Sequence, residues 1–392
     1  MSTTNLNFDQ QLELPAWARI NVDIRRADPS LPRQIQPQAP VKWGVSTQAH
    51  EHQPSTWLTL KSQLLPIDRD PQRNDVLVAR VVELGRNRSI ELSSGRKSEL
   101  YLGDVIVGAF GNRYATNQYE AHVPARQEYY HMLSQGAVFG QVLSASYSTG
   151  DPTVVEPLGF MDAGGGQVLN LSHRGLRPIA NVGRVPTLLV LGASMDAGKT
   201  TTAANLVHGL ALAGWHVNAG KLTGTGCAKD VNKMLDAGAR KVLDFTACGF
   251  ASTAGATDEE LDAISSRMIE HLSLDAPDLL VLEIADGIVQ SETRRLTQML
   301  VQQGKVDGAI MAIHDVLSAD TAEQIVEREF GLPLFAMAGA ATRSPLSTLE
   351  LRSVTNLPVY DMAAISDATV ALAVDDFLKT RSLMSRSSVA VV

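Results

Sequence analysis

Two patterns of apolar and polar positions divide the chain. From Val76 the apolar residues come in short β-type runs, VLVARVVEL, SIELSS, KSELYL, DVIVGAF, AVFGQVLSASY and TVVEPLG, with turns such as Ser94-Gly95 between them. Runs this short predict a small all-β domain, a barrel or sandwich of antiparallel strands, over residues 71–184. Before it, residues 1–70 are rich in Pro, Gln and short polar runs, as in LPRQIQPQAP. That composition predicts an irregular N-terminal extension with one strand near Val41–Val45. After Pro186 the pattern changes to buried strands at TLLVLG, HVNAGKL, RKVLDFTA, DLLVLEIA, DGAIMAIH, LPLFAMAG and LPVYDMAA. Most are separated by helix-length segments: TTTAANLVHGLALAG, AKDVNKMLDAG, DEELDAISSRMIEHL, SETRRLTQMLVQQG, ADTAEQIVEREFG and SPLSTLELRSV. A last helix is expected over about residues 367–384. Thr257 with Glu260 has the spacing of a capping box, and Ser344 stands as an N-cap before Pro345. Apolar strands joined through helices need crossovers, so residues 185–392 predict an α/β fold, a mostly parallel, doubly wound sheet.

Composition narrows the functional classes. With 392 residues, 44% hydrophobic and 19% charged, the chain can fill the cores of about two domains. Its net charge of −8 argues against a protein that coats nucleic acid. Residues 1–184 carry 18 basic and 17 acidic residues, leaving 16 and 25 for the rest, so the excess acid sits in the α/β half. No apolar run reaches the ~18 residues of a membrane span, and the opening MSTTNLNFDQ lacks the pattern of a secretory signal. Two cysteines, Cys227 and Cys248, exclude a disulfide scaffold and fit a reducing cytoplasm, and their spacing is not that of a zinc site. They read as small packing residues.

The strongest chemical signal is LLVLGASMDAGKTTT, which leaves a strand, passes a loop of small residues and enters a helix. Residues Gly192, Ala193, Ser194, Met195, Asp196, Ala197, Gly198, Lys199, Thr200 and Thr201 are the expected nucleotide-binding set. Small residues let successive backbone N–H groups face phosphate oxygens at a helix N-terminus. Lys199 would reach the β- and γ-phosphates, and Thr200 would ligate Mg²⁺. Asn232-Lys233 is followed by Met-Leu-Asp, one residue too long for a guanine reader, so ATP is favoured. In LLVLEIADG, Glu283 and Asp286 lie at the C-terminal end of a strand, where parallel sheets hold ligands and a carboxylate can bind Mg²⁺. Asp286 also reads as a simple turn residue before Gly287. In AGKLTGTGCAKD, Lys221 leaves a strand into Gly224 and Gly226, placed to meet a phosphoryl group or an anionic substrate. Asp230 is either a second Mg²⁺ ligand or an acid favoured by the helix dipole. Asp244–Gly255 is a candidate wall of a substrate pocket, and His314-Asp315 is either a proton-transfer pair or a solvated strand end. The polar-aromatic cluster Gly111–Tyr114 with Tyr119, Glu120 and His122 is either rim or a substrate or interface surface.

At these residues the chain resembles the dethiobiotin synthetase branch of the SIMIBI-type P-loop proteins, which also holds cobyrinic acid diamide synthases and MinD/ParA relatives. The resemblance covers about residues 186–365 and rests on GASMDAGKT, GKLTGTG, Asp230 and VLEIADG. It implies that Thr200, Asp230 and Glu283 hold Mg²⁺, while Lys199 and Lys221 stabilise charge on the phosphoryl group. The chain departs from that family in having EIADG where the family has Glu-Gly-Ala-Gly-Gly, and in having Ser194 where MinD/ParA relatives carry a lysine. The expected activity is Mg²⁺- and ATP-dependent phosphoryl transfer to a small carboxylate- or carbamate-like substrate, with Lys199, Lys221 and Glu283 catalytic. The competing expectation is a nucleotide-dependent switch or a metal- or cofactor-delivery NTPase acting on a protein partner. A homodimer is the expected assembly, with neither nucleic acid nor membrane as a partner.

Overall fold

A computed structural model describes residue 35 and residues 38–389. Eleven strands build the first half: β1 (Val41–Trp43), β2 (Leu64–Leu65), β3 (Val76–Glu83), β4 (Ser89–Glu91), β5 (Lys97–Glu99), β6 (Val105–Phe110), β7 (Arg113–Tyr114), β8 (Tyr119–His122), β9 (Tyr130–Met132), β10 (Val138–Ala145) and β11 (Thr153–Met161). One short helix, α1 (Trp57–Lys61), precedes β2. The main sheet runs β1-β6-β3-β11-β9-β10-β8-β7, with β2 on β11, and β6 also pairs β10. Strands β6, β3, β11, β9 and β10 therefore close into a ring.

Alternation explains the ring's two faces. Leu77, Ala79 and Val81 of β3 turn to one cluster with Phe110, Tyr130, Phe139 and Phe160, while Val76 and Val78 turn to another with Trp43 and Leu171. Phe110 meets the Tyr130 ring edge-on at 4.9 Å, so aromatics fill one face. The ring is not wholly antiparallel as expected, because β10 pairs β6 in parallel, and β1 adds to β6 in parallel beside it. Residues 1–34, 36 and 37 of the expected irregular extension lie outside the described residues. From Val41 the chain is already tied into the sheet, through β1 on β6 and β2 on β11.

The second half is a parallel sheet of β12 (Thr187–Gly192), β13 (Val217–Lys221), β14 (Lys241–Asp244), β15 (Leu279–Glu283), β16 (Gly308–Ala312) and β17 (Leu334–Ala338). Its order is β14-β13-β15-β12-β16-β17. Helices α2 (Lys199–Leu212), α3 (Ala228–Asp236), α4 (Asp258–Ser273), α5 (Ser291–Gln302), α6 (Ala319–Gln324), α7 (Pro345–Val354), α8 (Met362–Ser366) and α9 (Val370–Val389) surround it. Leu188 and Val190 pack into a core with α2, and Leu189 and Leu191 into a second core with α4 and α5. Both faces are thus covered. The capping box at Thr257 and Glu260 forms, as does the Ser344 cap before Pro345. LPVYDMAA differs from the expected strand. It makes a single bridge, Met337 to Val359, after which the Asp361 carboxylate accepts from the Ala364 N–H and starts α8. ADTAEQIVEREFG begins as α6 but widens to a π-turn over Ile325–Glu329. Among the described residues no helix is long and apolar enough to cross a membrane.

The β ring sits directly on the loops at the C-terminal edge of the parallel sheet. The Glu91 carboxylate accepts from the Ala228 N–H at 2.6 Å, Ser134 Oγ donates to the Gly226 carbonyl at 2.9 Å, and Asn74 Oδ1 accepts from the Ala251 N–H at 2.9 Å. Arg73 donates to both oxygens of Glu260 at 2.8 and 2.7 Å. At Gly136 the approach is so close that a Cβ would lie 2.1 Å from the Gly226 carbonyl oxygen. Gly136→Ala should therefore lower stability by about 1–3 kcal/mol in denaturant titration. Gly150→Ala, where a Cβ meets nothing within 4 Å, should stay within about 0.5 kcal/mol of the parent.

Candidate nucleotide-binding site

The strand order places the chemistry. With β15 between β13 and β12, their C-terminal ends bring Lys221, Glu283 and the Gly192 loop side by side. Register sets Lys221 opposite Glu283 and Val190 opposite Glu283. Beyond Gly192 the loop turns through Asp196 at φ +62° and Gly198 at φ +97°, and Lys199 opens α2. No side chain caps that helix start, which leaves its first backbone N–H groups for an anion. A Cβ on Gly192 would stand 2.8 Å from the Lys199 stem, so the lysine needs a glycine beneath it. Lys199 Nζ donates to the Ser194 carbonyl at 2.9 Å. Burial pulls its pKa down from the usual lysine range.

Thr200 Oγ1 donates to Glu283 Oε1 at 3.0 Å. Glu283 is 1% exposed, and its other oxygen, Oε2, is buried without a hydrogen-bond partner. Burial pushes this carboxyl up, against the pull of Lys221 and Lys199. Lys221 Nζ lies 3.5 Å from Glu283 Oε1 and pairs closely with Asp230 Oδ2 on the first turn of α3. Burial opposes the Lys221 charge, but Glu283 and Asp230 outweigh it and hold the ammonium above its usual range. Asp230 is likewise raised by burial and pulled further down by Lys221, so it ends below the usual carboxylate range. The structure thus brings Lys199, Thr200, Lys221, Asp230 and Glu283 into one cluster. Among the described residues no group of three His, Cys, Asp or Glu is placed to hold a metal. Thr200, Asp230 and Glu283 together offer two carboxylates and a hydroxyl, all oxygen and including the orphaned Oε2, a set that could hold Mg²⁺ with water and phosphate as its further ligands. Lys221 already stands as a cation between the two carboxylates.

Asp286 has a left-handed backbone, φ +59°. Burial raises its pKa, while Lys199, Lys221 and Arg113 pull the other way. Next to it, a Cβ on Gly287 would lie 2.8 Å from the Ala193 carbonyl oxygen. Lys233 donates to Thr201 Oγ1 at 2.7 Å, tying α3 to α2. A cavity of about 310 Å³ beside this pair is lined by Gly198, Asn205, Lys233, Arg343 and Asp361. A larger one, about 360 Å³, opens at residues 179–186 and 273–277, away from Lys199.

Other candidates fall elsewhere. The Cys227 and Cys248 thiols are both pushed up to about 12 by burial and stay protonated. Asp315 accepts from the Leu317 N–H and starts a short 3₁₀ turn, and His314 is exposed beside it. Asp244–Gly255 packs beneath the β ring: Gln48 Nε2 donates to Asp244 Oδ1 at 3.0 Å. Within that segment Thr253 Oγ1 donates to Glu292 Oε1 at 2.8 Å. Glu292, on the first turn of α5, is 4% exposed, and its Oε2 has no partner. Sequence reasoning missed it, because its burial depends on a residue 39 positions away. Asn117 was missed as well; its Nδ2 donates to Asp196 Oδ2 of the Gly-Lys-Thr loop at 2.7 Å and places the Gly111–Tyr114 cluster, with Arg113, beside that loop.

No family model matches the chain, and no curated protein matches it. Among solved structures it is similar to the signal recognition particle receptor FtsY from Elizabethkingia anophelis, at 17% identity and TM-score 0.33, over 51% of this chain and 67% of that one. A second structure of that receptor, in complex with GDP, is similar at 16% identity and TM-score 0.33, over 48% and 61% of the two chains. Likeness at that level assigns no residue a role.

Burial pushes the Glu292 carboxyl up from its ordinary 4.5 to about 7. The unfolded chain gives up this proton near the lower value, so stability falls as pH rises from 4.5 to about 7 and stays lower above it. Glu292→Gln should remove that penalty, at most about 3 kcal/mol. Its melting temperature should exceed the parent's at pH 8, with the gap closing towards pH 5. A gap independent of pH would show that Glu292 does not titrate in this window.

Proposed function

We propose that this chain binds a nucleoside triphosphate with Mg²⁺ and transfers its γ-phosphoryl group to a small carboxylate- or carbamate-type acceptor. One observation carries the reading: Thr200, Lys221 and Asp230 converge on a buried Glu283 that keeps one oxygen unpartnered, beside a Gly-Lys-Thr loop at an uncapped helix start. Chemistry of this kind rests on positioning and charge neutralisation rather than on a covalent intermediate. The loop N–H groups and the start of α2 hold the phosphates. Lys199 exchanges its bond to the Ser194 carbonyl for phosphate oxygens. Thr200, Glu283 and Asp230 would hold the ion, which when bound neutralises phosphate charge. Lys221, released from Asp230, faces the acceptor side as a fixed positive charge. The cavity at Asn205, Lys233 and Asp361 adjoins the loop and is the place for the base. The sequence favours adenine there; an FtsY structure in complex with GDP makes guanine the alternative to measure.

A second reading is a nucleotide-dependent switch acting on a protein partner. It draws on the hydrogen bonds that join the Gly226 and Ala251 loops to the β ring, since nucleotide moving Asp230 would be felt there.

Isothermal titration of ATP and GTP in Mg²⁺ decides which base is bound. Lys199→Ala should weaken the bound nucleotide by at least about 100-fold, and unchanged affinity would refute the loop assignment. Glu283→Gln should keep nucleotide affinity within a fewfold while Mg²⁺-dependent turnover drops by about 100-fold or more. Phosphate release stimulated by small carboxylates supports the transfer reading. Release stimulated only by a protein supports the switch.

A further inference from the structure

We propose that Arg113, on the β7–β8 hairpin of the β ring, is a catalytic residue that grips the phosphoryl group as it leaves the nucleotide. The inference rests on the nucleotide reading above and adds a group that the loop motifs do not contain.

Three observations carry it. The hairpin is fastened over the Gly-Lys-Thr loop: Asn117 Nδ2 donates to Asp196 Oδ2 at 2.7 Å, and Thr116 Oγ1 approaches Met195 Sδ at 3.6 Å. Its base is fastened to the strand-end segment beneath, where Asn112 Nδ2 donates to the Ala254 carbonyl at 3.2 Å and a Cβ on Gly111 would lie 3.1 Å from Ser252. The hairpin is therefore held against the site from two sides. Second, the guanidinium is under-used. One nitrogen donates to Gln118 Oε1 at 2.5 Å and the group lies 5.8 Å from the Tyr119 ring centre, yet Nε is buried without a partner. A guanidinium has five N–H donors, and leaving the one on Nε buried and unmatched is costly unless an anion comes to it. Third, the charges near the loop are unevenly paired. Asp230 and Glu283 both pair directly with Lys221, whereas the Lys199 ammonium bonds a carbonyl and meets Glu283, Asp286 and Asp196 only at longer range. Asp286, on a left-handed backbone of φ +59°, is within electrostatic reach of Lys199, Lys221 and Arg113. A lone carboxylate shared by three cations marks a place suited to a more highly charged anion.

In the step itself, the bond from γ-phosphorus to the bridging oxygen breaks, and its electron pair stays on the nucleoside diphosphate. A new bond forms from an acceptor carboxylate oxygen, so no proton moves and no reductant is needed. Charge stays on the three equatorial oxygens during transfer, and a planar fork of N–H donors matches two of them. The surrounding hairpin holds that fork in place before the nucleotide arrives, which avoids reorganisation during the step. A purely structural Arg113 would serve only Gln118 and Tyr119.

Titration of the full chain with ADP or GDP and Mg²⁺, with and without aluminium fluoride as a mimic of the moving phosphoryl group, separates these roles. The parent should bind its diphosphate at least about tenfold more tightly with fluoride. Arg113→Ala and the milder Arg113→Lys should bind the diphosphate alone as the parent does but lose most of that gain, since a lysine lacks the fork. Gain of parental size in both variants would overturn the proposal, as would a parent that binds the diphosphate but shows no gain. A parent that binds neither diphosphate would sink the nucleotide reading, and this one with it.

Discussion

A carboxylate buried at the end of a strand needs opposite charge or hydrogen bonds within reach, and Glu283 organises this half of the molecule around that need. Removing an ion of this size from water costs several kcal/mol even after relaxation. A lysine at 3.5 Å returns about 5 kcal/mol at an effective dielectric near 20. That balance holds only while Lys221 stays opposite Glu283, which needs β13 beside β15 in its present register. It also needs α2 to begin where Thr200 can donate to Oε1. Strand order, register and helix start are thus coupled through one side chain. Asp230 enters as the second charge that keeps Lys221 protonated.

The β half is joined to these same loops by polar bonds more than by apolar area. Ala251, from the α/β half, enters the hydrophobic core that holds Trp43 and Leu171, whereas Glu91, Ser134 and Asn74 each hold a backbone group of the loops and Arg73 holds Glu260 on α4. Hydrogen bonds of this kind contribute about 1 kcal/mol apiece but fix position closely. The charge division along the chain acquires a structural sense here. The half with the acidic excess holds Asp230, Glu283 and Asp286, and Arg113 and Arg73 come to it from the nearly neutral half.

The α/β half was the more legible in sequence because its signals are local. Leu188 to Gly192 reads as a buried strand and Gly198-Lys199-Thr200 as a helix entry, and both are set by neighbouring residues. Glu283 was visible because an acid ending an apolar run is unusual on its own. LPVYDMAA misled, because apolar spacing cannot show that the Asp361 side chain starts a helix there. The strands β7, β8 and β9 escaped notice since each is two to four residues long and is held by partners far along the chain. The Gly111–Tyr114 cluster, with Arg113, stayed undecided between rim and site for the same reason: its place depends on Asn117 reaching Asp196, 79 positions away. Glu292 looked like an ordinary first-turn acid on α5 until Thr253 and the ring covered it.

Several side-chain and carbonyl groups of the loop are already engaged, although the first N–H groups of α2 are not. Lys199 bonds the Ser194 carbonyl, the Ala197 carbonyl accepts from Ala340, and Asp196 is held by Asn117. Binding a phosphate chain would therefore exchange the Lys199 bond as well as engage the open N–H groups at the start of α2. Lys199 gives up a neutral acceptor for a charged one, and charge-assisted bonds are roughly twice as strong. Asp196 must remain held if the hairpin is to stay in place, so the bond from Asn117 lies on the route between phosphate binding and Arg113. Asp196 is thus the side chain of the Gly-Lys-Thr loop that hydrogen-bonds the β7–β8 hairpin, and it ties the position of Arg113 to the shape of that loop.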